Sequence, residues 1–213
     1  MADTFHSRID ISLADADLQV ALDGNAEKRV NGLRQAFASV PDYQERRRRA
    51  HAVRADVIEN LDSYLEAFVR RAEENGFIVH RAADASQAIQ VILEIIRRNE
   101  ASLVAKSKTM VSEEIDLNHH LEAAGLRVVE TDLGEFIVQI RGEKPAHIIT
   151  PAVHLRRGQV GQTFHEKLGV PLTDSIPEMT AIARKTLREI FLTADIGLSG
   201  VNFGVIETGT ICV

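Results

Sequence analysis

Apolar positions in the first third of the chain recur at helical spacing, whereas those in the last two thirds come in short runs broken by glycine, asparagine and charge. Residues 1–11 are short and polar, a stretch expected to fray. From Ala14 to Phe37 the positions Leu18, Leu22, Val30, Leu33 and Phe37 predict a helix with a buried stripe, and Gly24-Asn25 and Gly32 predict a split or kink in it. Pro41 ends this piece and Asp42 can start the next. Tyr43 to Asn75 reads as one long helix, with Val53, Val57, Leu61, Leu65, Phe68 and Ala72 on one stripe and Asn75-Gly76 as its stop.

After Gly76 strands and helices alternate. Strands are predicted at Phe77–His80, Ser102–Ala105, Leu126–Glu130, Phe136–Ile140 and His147–Thr150. Helices are predicted at Asp84–Arg98, with Ala88, Ile89, Ile92, Leu93 and Ile96 inward, and at Ser112–Ala124, stopped by Gly125. Pro151–Gly169 is more polar and helical in part. Ser175 and Glu178 have capping-box spacing around Pro177, so a helix starts there and runs to about Leu192. The last segment, Ala194–Val213, reads as Ala194–Leu198, Val205–Ile206 and Ile211–Val213 strands joined by Gly-rich turns. Together these predict an α/β fold with a largely parallel sheet over 76–213, preceded by a helical segment of long N-terminal helices over 1–75.

Composition narrows the function classes. The chain has 213 residues, 45% of them hydrophobic and 26% charged, with a formal net charge of −6, so nucleic acid or an anionic membrane is not an expected partner. The run Arg46-Arg47-Arg48-Arg49 does not change this, because Asp42 to Glu74 holds eight acids against seven arginines and reads as a solvated or partner-facing arm. No apolar stretch is long enough to span a bilayer, and MADTFHSRID lacks the pattern of a secretory signal, so the cytoplasm is the expected compartment. The single cysteine, Cys212, excludes an intrachain disulfide and a self-contained cluster of four thiolates, and its apolar run makes it a core thiol. No cofactor is expected on this chain itself.

Candidate chemistry collects at strand ends. Lys106, Ser107, Lys108 and Thr109 follow the Ser102–Ala105 strand and lead into a helix capped by Ser112, a setting for a carboxylate or phosphate, though the glycines of a Walker loop are missing. Glu130, Asp132 and Glu135 follow the next strand and suit either acid–base or metal chemistry or a solvated turn. Glu207 and Thr208, with Asn202 upstream, lie between the Gly-rich turns of the last segment. The histidines show no paired ligand spacing: His119 and His120 are adjacent on a helix, His147 sits at a strand end, and His154 and His165 could line a cleft. A GxGxxG fingerprint is lacking.

Four stretches, KSKTMVSEEI at 106–115, HHLEAAGLRVVETDLGEFIVQ at 119–139, KPAHIITPAVH at 144–154 and ADIGLSGVNFGVIETGT at 194–210, resemble the LUD (lactate utilisation) domain family in family order. The helix carrying VRADVIENLDSYLEAFVRRAEENG is similar to the iron–sulfur subunit of the lactate-utilisation system rather than its short, cluster-free subunit. The resemblance implies a fold akin to the sugar-phosphate isomerase and coenzyme A transferase group. It also implies a part in oxidising L-lactate to pyruvate, within an electron-transporting oxidoreductase complex of other lactate-utilisation subunits. In that family the domain continues through further strands and a ferredoxin-like segment carrying [4Fe–4S] clusters, which is absent here. An unpaired sheet edge at the truncation would favour self-association as a homodimer.

Three functional readings are open at this stage. The first is a ligand-binding and assembly module, in which Lys106, Lys108 and Thr109 contact a small carboxylate or phosphate, Glu207, Thr208 and Asn202 face the same crevice, and Glu130 and Asp132 stand second. The next is an acyl- or coenzyme-A-transferase-like enzyme with Glu207 as its catalytic nucleophile. The last is a ligand-free, structural partner-binding domain that docks through its Arg-rich helix.

Overall fold

The structure is a computed structural model and describes residues 4–213. Residues 1–3, part of the segment expected to fray, lie outside the described residues; from Phe5 onward that segment is helical. In chain order the elements are α1 (Phe5–Ala14), α2 (Ala16–Ala38), α3 (Tyr43–Glu59), α4 (Leu61–Glu74) and α5 (Ala85–Arg98). Then come β1 (Leu103–Lys106), α6 (Met110–Glu114), α7 (Leu117–Ala123), β2 (Arg127–Glu130), α8 (Leu133–Arg141) and α9 (Arg157–Leu168). The chain finishes with α10 (Ile176–Thr193), β3 (Ile196–Leu198), β4 (Phe203–Val205) and β5 (Thr210–Cys212). It divides into two compact units: one made of residues 39–129 and 194–213, the other of residues up to 38 together with 130–193.

The first of these units holds the sheet. Its strands run in the order β2-β1-β3, and β1 pairs with β3 in parallel, Val104 opposite Ile196, Ala105 opposite Gly197 and Lys106 opposite Leu198. The Asp195 carboxylate accepts from the backbone N–H groups of Ser102 and Leu103 and from the Ser102 hydroxyl, closing the start of that pairing. Ile89 and Ile96 of α5, Val104 of β1, Leu117 and Leu121 of α7 and Val128 of β2 form one buried cluster. The parallel α/β layer expected from the alternation of elements is therefore present. The last two strands differ: β4 and β5 form a separate antiparallel hairpin, and Cys212 in it is exposed rather than a core thiol. The hairpin lies on α4, with Gly204 under the Phe68 ring and the Asn75 amide donating to the Thr208 carbonyl at 2.6 Å.

The long helix expected over Tyr43–Asn75 is two helices. The Asn60 side chain donates to the carbonyl and carboxylate of Asp56, and this local competition with the helical ladder turns the backbone there. Along the predicted stripe only the end is inward: Val53, Leu61 and Leu65 are exposed and Ala72 is buried. Three of the four consecutive arginines are held by acids one turn away, Arg46 by Asp42 and both Arg48 and Arg49 by Glu45, as a solvated face requires. The single helix expected over Ser112–Ala124 is likewise broken, at Asp116, whose φ of 51° only a few residue types tolerate. Phe77–His80 is irregular rather than a strand.

The other unit is helical. Helix α2 runs unbroken through Gly24 and Gly32, and of its predicted inward positions Leu22, Val30, Leu33 and Phe37 are exposed. Phe136, Ile137 and Val138 of α8, Phe164 of α9 and Met179, Ala183, Leu187 and Ile190 of α10 are buried, with the Phe136 and Phe164 rings 6.5 Å apart. The segment Phe136–Ile140, predicted as a strand, is thus the middle of a helix. A five-residue apolar run does not reveal its period. The decisive signals flank it: Asp132 accepts from the Gly134 and Glu135 N–H groups, and Gly142 closes the far end at φ 72°. His147–Thr150 is irregular, not a strand, because the His147 ring accepts from the Ile149 and Thr150 N–H groups and curls the chain. Helix α10 begins where Ser175 and Pro177 predicted it. No helix among the described residues is long and apolar enough to cross a membrane.

Two glycines make opposite predictions. Gly209 has φ +67°, and a Cβ there would stand 2.5 Å from the Arg71 carbonyl carbon, whereas a Cβ on Gly32 of α2 would meet nothing within 4 Å. In urea unfolding, Gly209→Ala should cost about 2–4 kcal/mol through the sum of left-handed strain and overlap. Gly32→Ala should instead stabilise by up to about 1 kcal/mol, the ordinary helix-propensity gain.

Candidate functional site

Parallel strands deliver their carboxyl ends to one edge of a sheet, and the loops that follow them are where ligands of open α/β sheets bind. Here β1 ends in Lys106, which is completely buried. An ammonium group is costly to bury without anionic company. Its Nζ donates to the Glu113 carboxylate at 3.0 Å, so the lysine at the end of the strand and the acid in α6 hold the intervening loop closed. Ser107 extends the β-ladder by donating its N–H to the Leu198 carbonyl at 2.8 Å, and its hydroxyl lies 2.8 Å from that of Ser199. Gly200 passes close to the Lys108 carbonyl and Thr109. Thr109 is the residue before α6, and its carbonyl accepts from the Ser112 hydroxyl at 2.8 Å. Ser112 was predicted as the cap; it lies one turn inside, bonding back.

The loop therefore has an inner and an outer part. Lys106 is an interior strut, while Ser107, Lys108 and Thr109 are half-buried. Sequence reasoning singled out the lysines and missed Glu113 as the partner and Ser199 as the opposing hydroxyl. Glu113 lies seven residues after Lys106, a spacing without a diagnostic pattern, and Ser199 is ninety-two positions from Ser107.

Glu207 and Thr208 lie elsewhere in the same unit. Both are exposed in the turn between β4 and β5, against α4: Thr208 donates its hydroxyl to Thr210, and Asn202 is exposed just ahead of β4, donating its N–H to the Cys212 carbonyl. Glu207 makes no hydrogen bond or ion pair among the described residues. Its charge is felt by Tyr64, whose phenol is held above its ordinary value mainly by donating to Asp56 and by the Asp56 charge, with a smaller push from Glu207. None of these contacts joins the Glu207 turn to the Lys106 loop.

Two second-tier candidates belong to the helical unit. Glu130 is buried, and its N–H donates to the Gln139 side chain at 2.9 Å. Asp132 is half-buried and caps α8. His154 meets the Glu143 carboxylate at 2.9 Å and His165 contacts the Val170 carbonyl at 2.7 Å. Glu143 is held below the usual carboxylate range, first by its bond from Arg141 and then by His154.

A small parallel sheet flanked by helices, with a serine- and lysine-bearing loop at its strand ends, places the fold in the open α/β class. The sequence narrows the class: residues 65–213 match the LUD domain, and the chain belongs to that family. The Escherichia coli (strain K12) "Uncharacterized electron transport protein YkgF" is 39% identical over 210 residues, covering 98% of this chain and 44% of that protein. "Lactate utilization protein B" of Bacillus thuringiensis (strain Al Hakam) and of Bacillus cereus (strain B4264) are each 36% identical over 209 residues, again 98% of this chain and 44% of those proteins. The chain thus spans less than half the length of these relatives. No solved structure matches it.

Two measurements check the site's construction. Lys106→Ala should cost about 2–5 kcal/mol in urea unfolding, as a buried long side chain truncated to a cavity does. Lys106→Met, which keeps the volume, should cost clearly less, because exposed Glu113 can be hydrated once its partner is gone. The second concerns Asp195, held below the usual aspartate range by the Ser102 and Leu103 N–H groups and the Ser102 hydroxyl. A lowered carboxyl stabilises fully above its unfolded value, and the contribution is lost as pH falls through the folded one. Exchange protection of the Ser102 and Leu103 amides should therefore fall on acidification below the usual range, and Asp195→Asn should remove that pH dependence.

Proposed function

We propose that this chain is the LUD-domain portion of a protein that takes part in lactate utilisation, where it serves as a ligand-binding and assembly module in the oxidation of L-lactate to pyruvate. The support is the near-complete alignment of the chain with lactate utilization protein B, joined to a strand-end loop whose polar groups suit a small carboxylate. Lactate carries its charge on one carboxylate beside a hydroxyl. Lys108 would pair the carboxylate, Ser107 and Thr109 would bond the oxygens, and Lys106 would act as the positioning strut beneath them.

Oxidation of lactate removes two electrons and two protons, and these residues offer no carrier for the electrons. A cluster of four thiolates does not fit a chain whose one cysteine, Cys212, is exposed in a hairpin. Iron–sulfur clusters, electron transport and the subunits that complete the oxidoreductase complex are therefore assigned to the remaining length of such a protein and to its partners. The transferase-like alternative draws no support from the setting of Glu207, a solvated carboxylate without a hydrogen-bonded base or orienting group.

Thermal unfolding in the presence of L-lactate, pyruvate, inorganic phosphate and coenzyme A tests this reading. A carboxylate at one hundred times its dissociation constant should stabilise the fold by about 2.7 kcal/mol. That shift should be lost in Lys108→Ala and retained in Glu207→Gln. A shift with lactate that survives Lys108→Ala would remove the loop as the site. No shift with any of the four would leave a scaffold for partner subunits.

A further inference from the structure

The helical unit carries a concave site of its own. A cleft of about 600 Å³ lies between α2, the start of α8 and the irregular segment running from Ile149 to Arg157. That volume suits a cofactor- or nucleotide-sized molecule. Its walls are polar and apolar in about equal measure, and two of the apolar side chains, Val20 and Ile149, are 58% and 67% exposed, so apolar surface stands open to solvent inside a concavity.

Its charge is mostly positive. Lys28, Arg156 and Arg157 line it against one carboxylate, Asp132, which is committed to the N–H groups of α8. Arg156 is paired with Asp17 and Arg157 with Asp174, at 3.3 Å for the latter. Lys28 makes no hydrogen bond or ion pair among the described residues, which makes it the cation available to a ligand.

Gly24 supplies an independent observation. It sits in the middle of a 23-residue helix, where glycine costs about 1 kcal/mol relative to alanine, and a Cβ there would meet nothing within 4 Å. Neither packing nor backbone conformation requires a glycine at this position, but Gly24 lines the cleft one helical turn before Lys28. Any side chain there would project into the space that a ligand would fill.

We propose that this cleft binds an organic anion with an apolar body, its charge paired with Lys28 and its body laid over Gly24 against Val20 and Ile149. The site is independent of the lactate reading and stands or falls without it.

The probe is 8-anilinonaphthalene-1-sulfonate, an aromatic anion that fluoresces on leaving water, titrated against the full chain. N-phenyl-1-naphthylamine, the same rings without the sulfonate, is the neutral control. The sulfonate should bind saturably at one site, and Lys28→Met should weaken it at least tenfold while leaving the neutral compound unchanged. Gly24→Leu should weaken both at least tenfold, with helical content retained because leucine is the better helix former. Sulfonate binding that is absent, or unaltered by both substitutions, overturns the site. Loss with Gly24→Leu but not with Lys28→Met overturns its selectivity for an anion.

Discussion

The parallel pairing of β1 with β3 is the constraint on which the sheet-bearing unit depends. It joins residues more than ninety positions apart, Val104 to Ile196 and Lys106 to Leu198, so its loop-closure entropy is met only when the intervening chain has also found its place. Two polar devices fix its register. The Asp195 carboxylate gathers the N–H groups of Ser102 and Leu103 at one end, and the Ser107 N–H reaches the Leu198 carbonyl at the other. A slip of one residue would lose both and would turn Val104 and Lys106 to the opposite face.

The same register accounts for the loop that follows. Val104, Ala105 and Lys106 are all buried, the pattern of a parallel strand covered on both sides, and a lysine in such a position is tolerated only in anionic company. Glu113 meets that need from α6, which ties the strand end to the helix and leaves Ser107 to Thr109 as a short, well-supported loop. The group that makes the loop rigid is thereby distinct from the groups proposed to meet a ligand. Lysines 106 and 108 look equivalent in the sequence, but only Lys106 is completely buried.

Local signals were read correctly where they were strong. Asp84 caps α5, Ile89 and Ile96 point inward, and Ser175 with Pro177 opens α10. Errors arose where a local pattern was short or a side chain intervened. FIVQI gave no period, and the cap at Asp132 was read instead as part of an acidic turn. Asn60 broke one helix through its short polar side chain and Asp116 another through a left-handed backbone turn, neither of which apolar periodicity registers.

The sequence by itself determined the family, the alternation of helices and strands after Gly76, and the presence of polar groups at the end of β1, because these depend on neighbours within a few residues. Tertiary structure alone decided that Lys106 is interior, that Glu113 and Ser199 complete its loop, that Glu207 lies in a solvated hairpin turn on α4, and that Gly24 and Lys28 line a cleft. Each of these depends on which distant backbone arrives alongside. Burial and pairing are properties of that arrival, and no spacing along the chain encodes them.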